Sequence, residues 1–441
     1  MFSNKQLKDM IFPLFIEQLL VMMVGVADTF VVSYCGEAAV SGVSLVNSFN
    51  TIFIFLFTAL ASGGAVVVSQ YLGRRDCKMA SKTISQLLTV SSLFSLFITI
   101  VILLFDNRLL ELLFGKVELE VMDACITYLR ISAYSYLSMA VYNAGAALYR
   151  SIGKTSATMY ISIAANIINV VGNCIGVFVL QAGVAGVAYP SLISRLFSAV
   201  IITIFCFQKK NEIYYRFKWI FRWDGSLQKR ILNIALPNGI ESGIFQFVKV
   251  VLSSVVALFG TSQIAANGIA QSIWSMAALV CTTMGPVFIT VVGQCMGAND
   301  LEQVKRYFKK LLKITVIFAV AWNVLIFILT PFIMNGYIIS DETRKLVIIL
   351  VLLHNIFNAV AFPFADPLGK GLRATGDVKF TAVISIFTTI GVRLVFSILF
   401  AITLNMGVIG IALAMCLDWT IRGIIFWGRF KNEKWKEFRV I

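Results

Sequence analysis

The sequence predicts an all-α polytopic membrane protein with twelve transmembrane helices, arranged as two pseudo-symmetric six-helix bundles. Of the 441 residues, 59% are hydrophobic and only 13% are charged, whereas a soluble domain has about 25% charged residues. Twelve apolar stretches have lengths close to the roughly 20 residues that a helix needs to cross a bilayer. The second half of the chain repeats the first at one constant spacing, that from Pro13 to Pro237.

The predicted spans follow one another with short connections. They cover residues 11–34, 43–69, 84–105, 124–148, 157–180, 184–207, 231–258, 264–293, 312–333, 346–370, 379–403 and 408–428. This order predicts an N-terminal six-helix lobe (1–208), a cytoplasmic linker (209–230), a C-terminal six-helix lobe (231–430) and a cytoplasmic tail (431–441).

The net charge of +15 follows a membrane pattern. Basic residues fall in alternate connections, for example at Arg74, at Lys154 and along the segment 209–230, and the other connections are short or acidic, as around Asp106. Lysine and arginine are enriched in the cytoplasmic connections of membrane proteins. Both termini are therefore predicted to be cytoplasmic, and nucleic acid is not expected as a partner.

The repeat relates the two halves of the predicted fold. The constant shift places Glu17 on Glu241. The matched segments include "SQYLGRRD" (69–76) with "GQCMGAND" (293–300) and, after a slip of one residue, "LYRSIGK" (148–154) with "LRATGDV" (372–378). Each half holds six spans, an even number, so both halves enter the membrane from the same side. Transporters built from such parallel repeats place the substrate path between the halves and work by alternating access.

Two carboxylates lie in the first span. Glu17 and Asp28 are eleven residues apart, so they share a helix face within about 20° and are separated by about 16 Å along the axis. An ionisable residue within a span is a functional candidate. The repeat gives Glu17 a counterpart in Glu241, which favours a structural role, whereas Asp28 falls on Leu252. The alternative for Asp28 is a structural carboxylate that is satisfied by neighbouring hydroxyls such as those of Thr29 and Ser33.

The fifth span carries three asparagines, Asn166, Asn169 and Asn173, on one helix face. An amide both donates and accepts hydrogen bonds, so this row of side chains suits a carboxylate in either protonation state. The alternative is that the asparagines join helices, as polar side chains do in many membrane bundles.

The predicted spans of the second half carry Glu241, Lys249, Asp366, Arg393, Asp418 and Arg422. Opposite charges in one bundle predict ion pairs, so a structural network is as well supported as a transport site for the last three. The residues considered for a substrate or second cation site are Glu241, Asp366, Lys249, Glu17 and Arg393. Of these, Glu241 and Asp366 fit such a site and a structural role equally well. Lys249 is interpreted as a counter-ion that competes with a cationic substrate for the carboxylates.

No motif indicates an enzyme. A GxxxxGK[ST] nucleotide loop, a Ser-His-Asp set and a cluster of metal ligands are all missing from the sequence, and the single histidine, His354, is interpreted as an ordinary helix residue. No cofactor is expected, and the energy for transport should come from an ion gradient.

Several segments resemble the MATE family of multidrug and toxic compound extrusion transporters. They include "FPLFIEQLLVMMVGVADTFVVSYCGEAAVSGVS", "VVVSQYLGRRD", "VVGQCMGAND" and "LRATGDVKF", and the resemblance extends over essentially the whole chain. It is nearest to the DinF-like or unassigned bacterial branches. It implies the V-shaped fold of the MATE/MOP transporters and a monomer in the inner membrane of a bacterium, in contact with membrane lipids. The implied function is secondary active antiport of lipophilic organic cations against H⁺ or Na⁺.

The resemblance also implies roles for individual residues. Asp28 matches the acid of the first helix to which cation coupling is attributed, so Na⁺ at Asp28 is one option and H⁺ the other. Asn169 matches the asparagine beside that acid, and Asn173 falls where some relatives have a second acid, which leaves the ion undecided. The acids of the C-terminal half in the family do not align securely with Glu241 or Asp366.

Two other transport functions stay open. A lipid-linked oligosaccharide flippase of the same superfamily would use basic residues to hold a pyrophosphate, and Arg195, Lys249 and Arg393 are suited to that task. A dedicated exporter of one metabolite is the other alternative.

Overall fold

The structure is a computed structural model, which describes residues 2–115, 117–337 and 339–441. All regular elements in these residues are helices. Those that precede the midpoint are α1 (Asn4–Ser33), α2 (Glu37–Gly73), α3 (Cys77–Phe114), α4 (Leu119–Tyr134), α5 (Tyr136–Ser151), α6 (Thr155–Cys174) with a π-helical stretch (Ile175–Val179), α7 (Ala185–Cys206) and the short α8 (Phe217–Ile220).

The second half has more and shorter elements than the first. It consists of α9 (Gly225–Ala257), α10 (Thr261–Ala277), α11 (Leu279–Gly297), α12 (Leu301–Met334), α13 (Asp341–Val360), α14 (Phe362–Ala365), α15 (Pro367–Thr375), α16 (Val378–Phe387), a π-helical stretch (Thr388–Leu394), α17 (Val395–Ile398), a second π-helical stretch (Leu399–Thr403), α18 (Gly407–Lys431) and a final 3₁₀ turn (Lys434–Glu437).

The predicted membrane spans are confirmed as helical, but two of them are interrupted by breaks between helices: 264–293 contains α10 and α11, and 346–370 contains the end of α13, α14 and part of α15. In the described part of the chain, eleven helical segments are long and apolar enough to cross a membrane. The remaining predicted span, 124–148, is divided between α4 and α5, which have 16 residues each. They are separated by Ser135, whose N–H donates to the carbonyl of Ser132, only three residues earlier, at 2.9 Å.

Contacts divide the chain into two units. The N-terminal unit is Ser3–Gly239, and the C-terminal unit is Ile240–Ile441 together with residue 2. This division falls within α9, so the predicted linker 209–230 is part of the N-terminal unit. It packs against α3, where the Thr89 hydroxyl donates to the carbonyl of Ile220 at 2.6 Å.

The close approach of α6 and α7 positions the polar residues of the N-terminal unit. Gly176 and Gly186 face each other, and a Cβ on Gly176 would come within 2.1 Å of the Gly186 carbonyl oxygen. Only glycine allows two backbones to approach this closely. The contact lies one turn beyond Asn173, at the start of the π-helical stretch, a feature that is frequent at functional sites.

Candidate functional site

Asp28 lies on α1 beside a cavity of about 80 Å³ in the N-terminal unit. The polar residues around this Asp28 pocket are Asp28, Thr29, Ser44, Asn47 and Tyr128, and the remaining wall is apolar or glycine. The carboxylate is half-buried. The pocket therefore combines a single acid with several neutral oxygen atoms, which suits a small cation or a proton.

The asparagines of α6 form a hydrogen-bonded chain that ends on Asp28. Asn173 Nδ2 donates to Asp28 Oδ1 at 2.6 Å and to Asn169 Oδ1 at 3.3 Å. Asn169 Nδ2 donates to the Ser191 hydroxyl at 3.0 Å. The side-chain oxygen of Asn173 is buried and accepts no hydrogen bond from the described residues. Asn166 is not part of this chain.

The hydroxyls next to Asp28 do not satisfy it, contrary to the structural alternative. Thr29 Oγ1 donates to the carbonyl of Gly25 at 3.0 Å, and the Ser33 hydroxyl donates to the carbonyl of Phe30 at 2.6 Å. Both hydrogen bonds return to the backbone of α1. The amide of Asn173 is thus the side chain that holds the carboxylate in place.

Glu17 is in a separate and fully partnered environment. Its carboxylate is buried, accepts from Arg150 Nη2 at 2.8 Å and from the Thr158 hydroxyl at 2.8 Å, and receives a longer hydrogen bond from Tyr142. These contacts join α1 to α5 and α6. These three donors support a structural role for Glu17, the interpretation that its place in the repeat favours.

The acids of the C-terminal unit are also paired. Glu241 on α9 accepts a hydrogen bond from Arg373 on α15, whose Nε donates to the Thr381 hydroxyl at 3.2 Å. Asp366 pairs with Lys370, one turn further along, at 2.8 Å. Each acid is therefore paired with a basic residue of α15, Glu241 with Arg373 and Asp366 with Lys370.

Asp418 is the centre of the predicted ion-pair network. It is fully buried and contacts Arg393 Nε at 3.1 Å and Arg422 Nη2 at 2.7 Å. Arg393 also lies over the ring of Phe245 at 5.0 Å. Arg393 and Lys249 line one cavity of about 70 Å³, which we call the Lys249 pocket. The Lys249 ammonium has no hydrogen bond or ion pair with any residue that the structure describes.

No metal cluster is formed by histidine, cysteine and acidic residues at the positions the structure describes. The eight cysteines are free. His354 is buried against Trp419, with ring centroids 6.4 Å apart, and neither of its ring nitrogens has a hydrogen-bond partner among the described residues.

Several partners in these sites were not predicted from the sequence, Ser191 and Arg150 among them. Ser191 ends the asparagine chain, and Arg150 neutralises Glu17. The signal for Arg150 was present in the repeat, because "LYRSIGK" and "LRATGDV" place Arg150 on Arg373, and the repeat also places Glu17 on Glu241. Ser191 gave no comparable signal.

Comparisons with known proteins agree with this organisation. A family model described as MatE matches residues 13–175 and 237–399. Each bound of the second range follows that of the first by the spacing of the internal repeat, so the family model matches the two halves of the chain in the same register.

The similar proteins cover almost the whole chain. The uncharacterized transporter YisQ of Bacillus subtilis (strain 168) is 26% identical over 433 residues, 96% of this chain and 93% of that protein. The probable multidrug resistance protein NorM of Thermotoga maritima is 24% identical over 449 residues, 99% of this chain and 94% of that protein. A solved structure of MATE in the straight conformation is 20% identical and has a TM-score of 0.91, covering 98% of this chain and 97% of that one.

Proposed function

The chain belongs to the MatE family, whose members are transporters, and we propose that it is a secondary active multidrug exporter coupled to a cation bound at Asp28. The observation that carries this proposal is the chain of hydrogen bonds from Ser191 through Asn169 and Asn173 to a lone acid in a membrane-spanning helix. The expected exchange is antiport of lipophilic organic cations against H⁺ or Na⁺ by alternating access.

The contacts of Asp28 suggest how coupling would work. A carboxylate within a membrane span is unfavourable unless it is paired, and Asp28 has a single amide donor. The guanidinium of Arg195 acts on this carboxylate through its charge while donating its hydrogen bond to Ser135. A proton or Na⁺ would supply the remaining compensation. If Asp28 is protonated, rotation of the Asn173 amide by half a turn would present its unpartnered oxygen as an acceptor. Because α1 packs along α6, such a change would alter the packing of these two helices.

The proposed location is the inner membrane of a bacterium, with both termini in the cytoplasm. The alternation of basic connections supports this orientation, and the bacterial relatives support the type of membrane. There, one charge that moves through 100 mV gains about 2.3 kcal/mol, so a single coupling ion would support useful accumulation. The exporter would act as a monomer among membrane lipids, without a cofactor.

The test uses purified protein in liposomes. A Na⁺ gradient and a pH gradient are imposed separately, and the movement of ethidium is followed for the wild type, Asp28→Asn and Asp9→Asn. Asp9 is an exposed acid on the same helix, so its substitution controls for a general loss of charge. Transport driven by one gradient, lost in Asp28→Asn and kept in Asp9→Asn, would identify the ion. Equal transport in all three proteins would refute coupling at Asp28.

A second candidate is the lipid-linked flippase, which the basic character of the Lys249 pocket favours. Arg195 contributes less to this candidate, because it donates to the Ser135 hydroxyl at 2.7 Å. Reconstituted flipping of a pyrophosphate-linked lipid in the absence of any ion gradient would favour the flippase over the antiporter. The same liposomes without flipping or ethidium transport would favour a dedicated metabolite exporter.

A further inference from the structure

The Asp28 pocket and the Lys249 pocket lie at equivalent places in the two units. Seven positions that line the Asp28 pocket also line the Lys249 pocket after the constant shift of the internal repeat. Among them, Asn47 falls on Gln271 and Val187 falls on Ile411. Their volumes, about 80 Å³ and about 70 Å³, are similar. The repeat has therefore produced two cavities of equivalent position and similar size.

The charge of the two cavities is opposite. The acid of the first pocket, Asp28, is replaced by Leu252 in the second. Gly25 of the first pocket is replaced by Lys249. In the asparagine chain beside the first pocket, Asn169 falls on Arg393, which lines the second. One cavity is lined by a single acid and the other by two basic residues.

The two basic residues are only partly neutralised by the protein. Arg393 is 5% exposed, and its partner Asp418 is shared with Arg422. Thus one carboxylate serves two guanidinium groups, and the Lys249 ammonium adds a third positive charge. The other nearby acid on α9, Glu241, is bound to Arg373. Among the residues that the structure describes, the pocket region has an excess of two positive charges.

Uncompensated charge in a membrane-embedded helix bundle is retained where it faces a ligand or an ion path. Arg393 also lies in the π-helical stretch Thr388–Leu394, and such local departures from the α-helix are frequent at functional sites. Lys249 is exposed, whereas Arg393 is buried. A ligand would therefore meet the ammonium at the entrance and the guanidinium at the base.

We propose that the Lys249 pocket binds the anionic group of an organic ligand, a carboxylate or a phosphate ester. A guanidinium and an ammonium together suit such oxyanions, and the polar side chains of Ser253, Asn267 and Gln271 supply further hydrogen bonds. The cavity is too small for a whole drug, since drug-sized ligands occupy roughly 300–1,000 Å³. It fits a headgroup, with the apolar body of the ligand against Phe245 and Trp274.

This inference goes beyond the proposed antiport. It adds to the exporter a site that prefers acidic or zwitterionic molecules and rejects a lipophilic cation without an acidic group. It does not depend on Asp28, because anion binding can be measured without an ion gradient. Failure of ethidium transport and failure of anion binding are thus separate results.

The test is calorimetric titration of the full chain in phosphatidylcholine nanodiscs at low salt. The probes are benzoate, phenyl phosphate, inorganic phosphate and, as the cationic counterpart, benzyltrimethylammonium. We expect saturable binding of benzoate and phenyl phosphate, weakened at least tenfold in Lys249→Met. Lys345→Met, which removes an exposed lysine of the same unit, should bind as the wild type does. Arg393→Lys keeps the charge opposite Asp418 and serves as the second variant, with a smaller loss expected.

The remaining outcomes either identify the source of the anion or overturn the proposal. Inorganic phosphate that binds as tightly as phenyl phosphate would support an anion site that takes free ions. Loss of benzoate binding when half of the lipid is phosphatidylglycerol would support a site that a lipid headgroup occupies. No saturable anion binding, equal binding by the wild type and Lys249→Met, or tighter binding of benzyltrimethylammonium than of benzoate would overturn the proposal.

Discussion

Glu17 and Glu241 occupy equivalent positions in the two units, and each is bound by an arginine, Arg150 in the N-terminal unit and Arg373 in the C-terminal unit. The two pockets differ in charge. The Asp28 pocket is lined by an acid, and the Lys249 pocket is lined by two basic residues. The repeat thus keeps a charged contact where it joins helices within a unit. It changes the charge where a cavity is open to a ligand.

This difference distinguishes ionisable residues that hold helices together from ionisable residues that are free to bind a ligand. Three donors from within the N-terminal unit hold Glu17. Asp28 has one amide donor, and Lys249 has no described partner. Ionisable residues that the protein itself does not satisfy are the ones available to an ion or a substrate.

The largest expected effect is on the structural pairs. Arg150→Met and Arg373→Met should each lower the free energy of unfolding by about 3–5 kcal/mol. In each case a carboxylate that is buried (Glu17) or mostly buried (Glu241) loses its charged partner. Unfolding in a denaturing detergent measures this loss. Equal losses of unfolding free energy in the two variants would support an equivalent role for the two arginine–glutamate pairs.

The matched controls are Arg108→Met and Arg306→Met, which remove exposed arginines from the same units. Adding Glu17→Gln to Arg150→Met should restore part of the stability, since the unpaired charge is then gone. A destabilisation no greater than that of the controls would show that Glu17 does not depend on Arg150.

The second largest expected effect is on the binding of an anion in the Lys249 pocket. Lys249→Gly combined with Leu252→Asp copies the N-terminal residues, Gly25 and Asp28, into the C-terminal unit. We expect benzoate binding to weaken about 30-fold, or roughly 2 kcal/mol, because an ammonium is removed and a carboxylate is added. Lys249→Gly combined with Leu252→Asn controls for the change in size and polarity. Equal losses in the two double variants would contradict an electrostatic origin for the difference.

These comparisons also show what the sequence can predict. The spans and the repeat are local or periodic signals, so the helices, the spacing and the lone acid at Asp28 were accessible. At the break, the backbone N–H and the hydroxyl of Ser135 both donate to the carbonyl of Ser132, and hydropathy does not register such local hydrogen bonds. The equivalence of the two pockets depends on residues from several helices, so no single stretch of the sequence predicts it.

A smaller effect is expected within the asparagine chain. Asn173→Ala should weaken the apparent affinity for the coupling ion about 10-fold, because a hydrogen bond to a charged group contributes about 1.5–3 kcal/mol. Asn169→Ala should have less effect, since Asn169 reaches Asp28 only through Asn173. Transport in liposomes at graded ion concentrations measures both. Asn166→Ala is the control on the same helix, and a larger effect of Asn169→Ala than of Asn173→Ala would contradict the order of the chain.

The smallest expected effect concerns a lysine–acid ion pair that each unit contains outside its pocket. In each unit a lysine near the start of the third predicted span pairs with an acid that follows the sixth, as Lys82 with Asp224 and Lys305 with Glu433. Hydrogen bonds from Lys305 and Lys436 lower the pKa of Glu433 to about 2, and the bond from Lys82 holds the pKa of Asp224 below its ordinary value.

A carboxyl whose pKa is lower in the folded state stabilises that state above its ordinary pKa, and this contribution is lost as the pH falls through the folded pKa. At neutral pH, Lys305→Met should therefore lower the melting temperature by about 1 °C. Lys82→Met should lower it more, because the Lys82–Asp224 pair is less exposed. Both differences from the wild type should shrink in acid below a pH of about 4, while Lys345→Met shows no shift at any pH. A larger shift for Lys305→Met than for Lys82→Met, or a shift that persists in acid, would mean that these lysines stabilise their units by packing and not by charge.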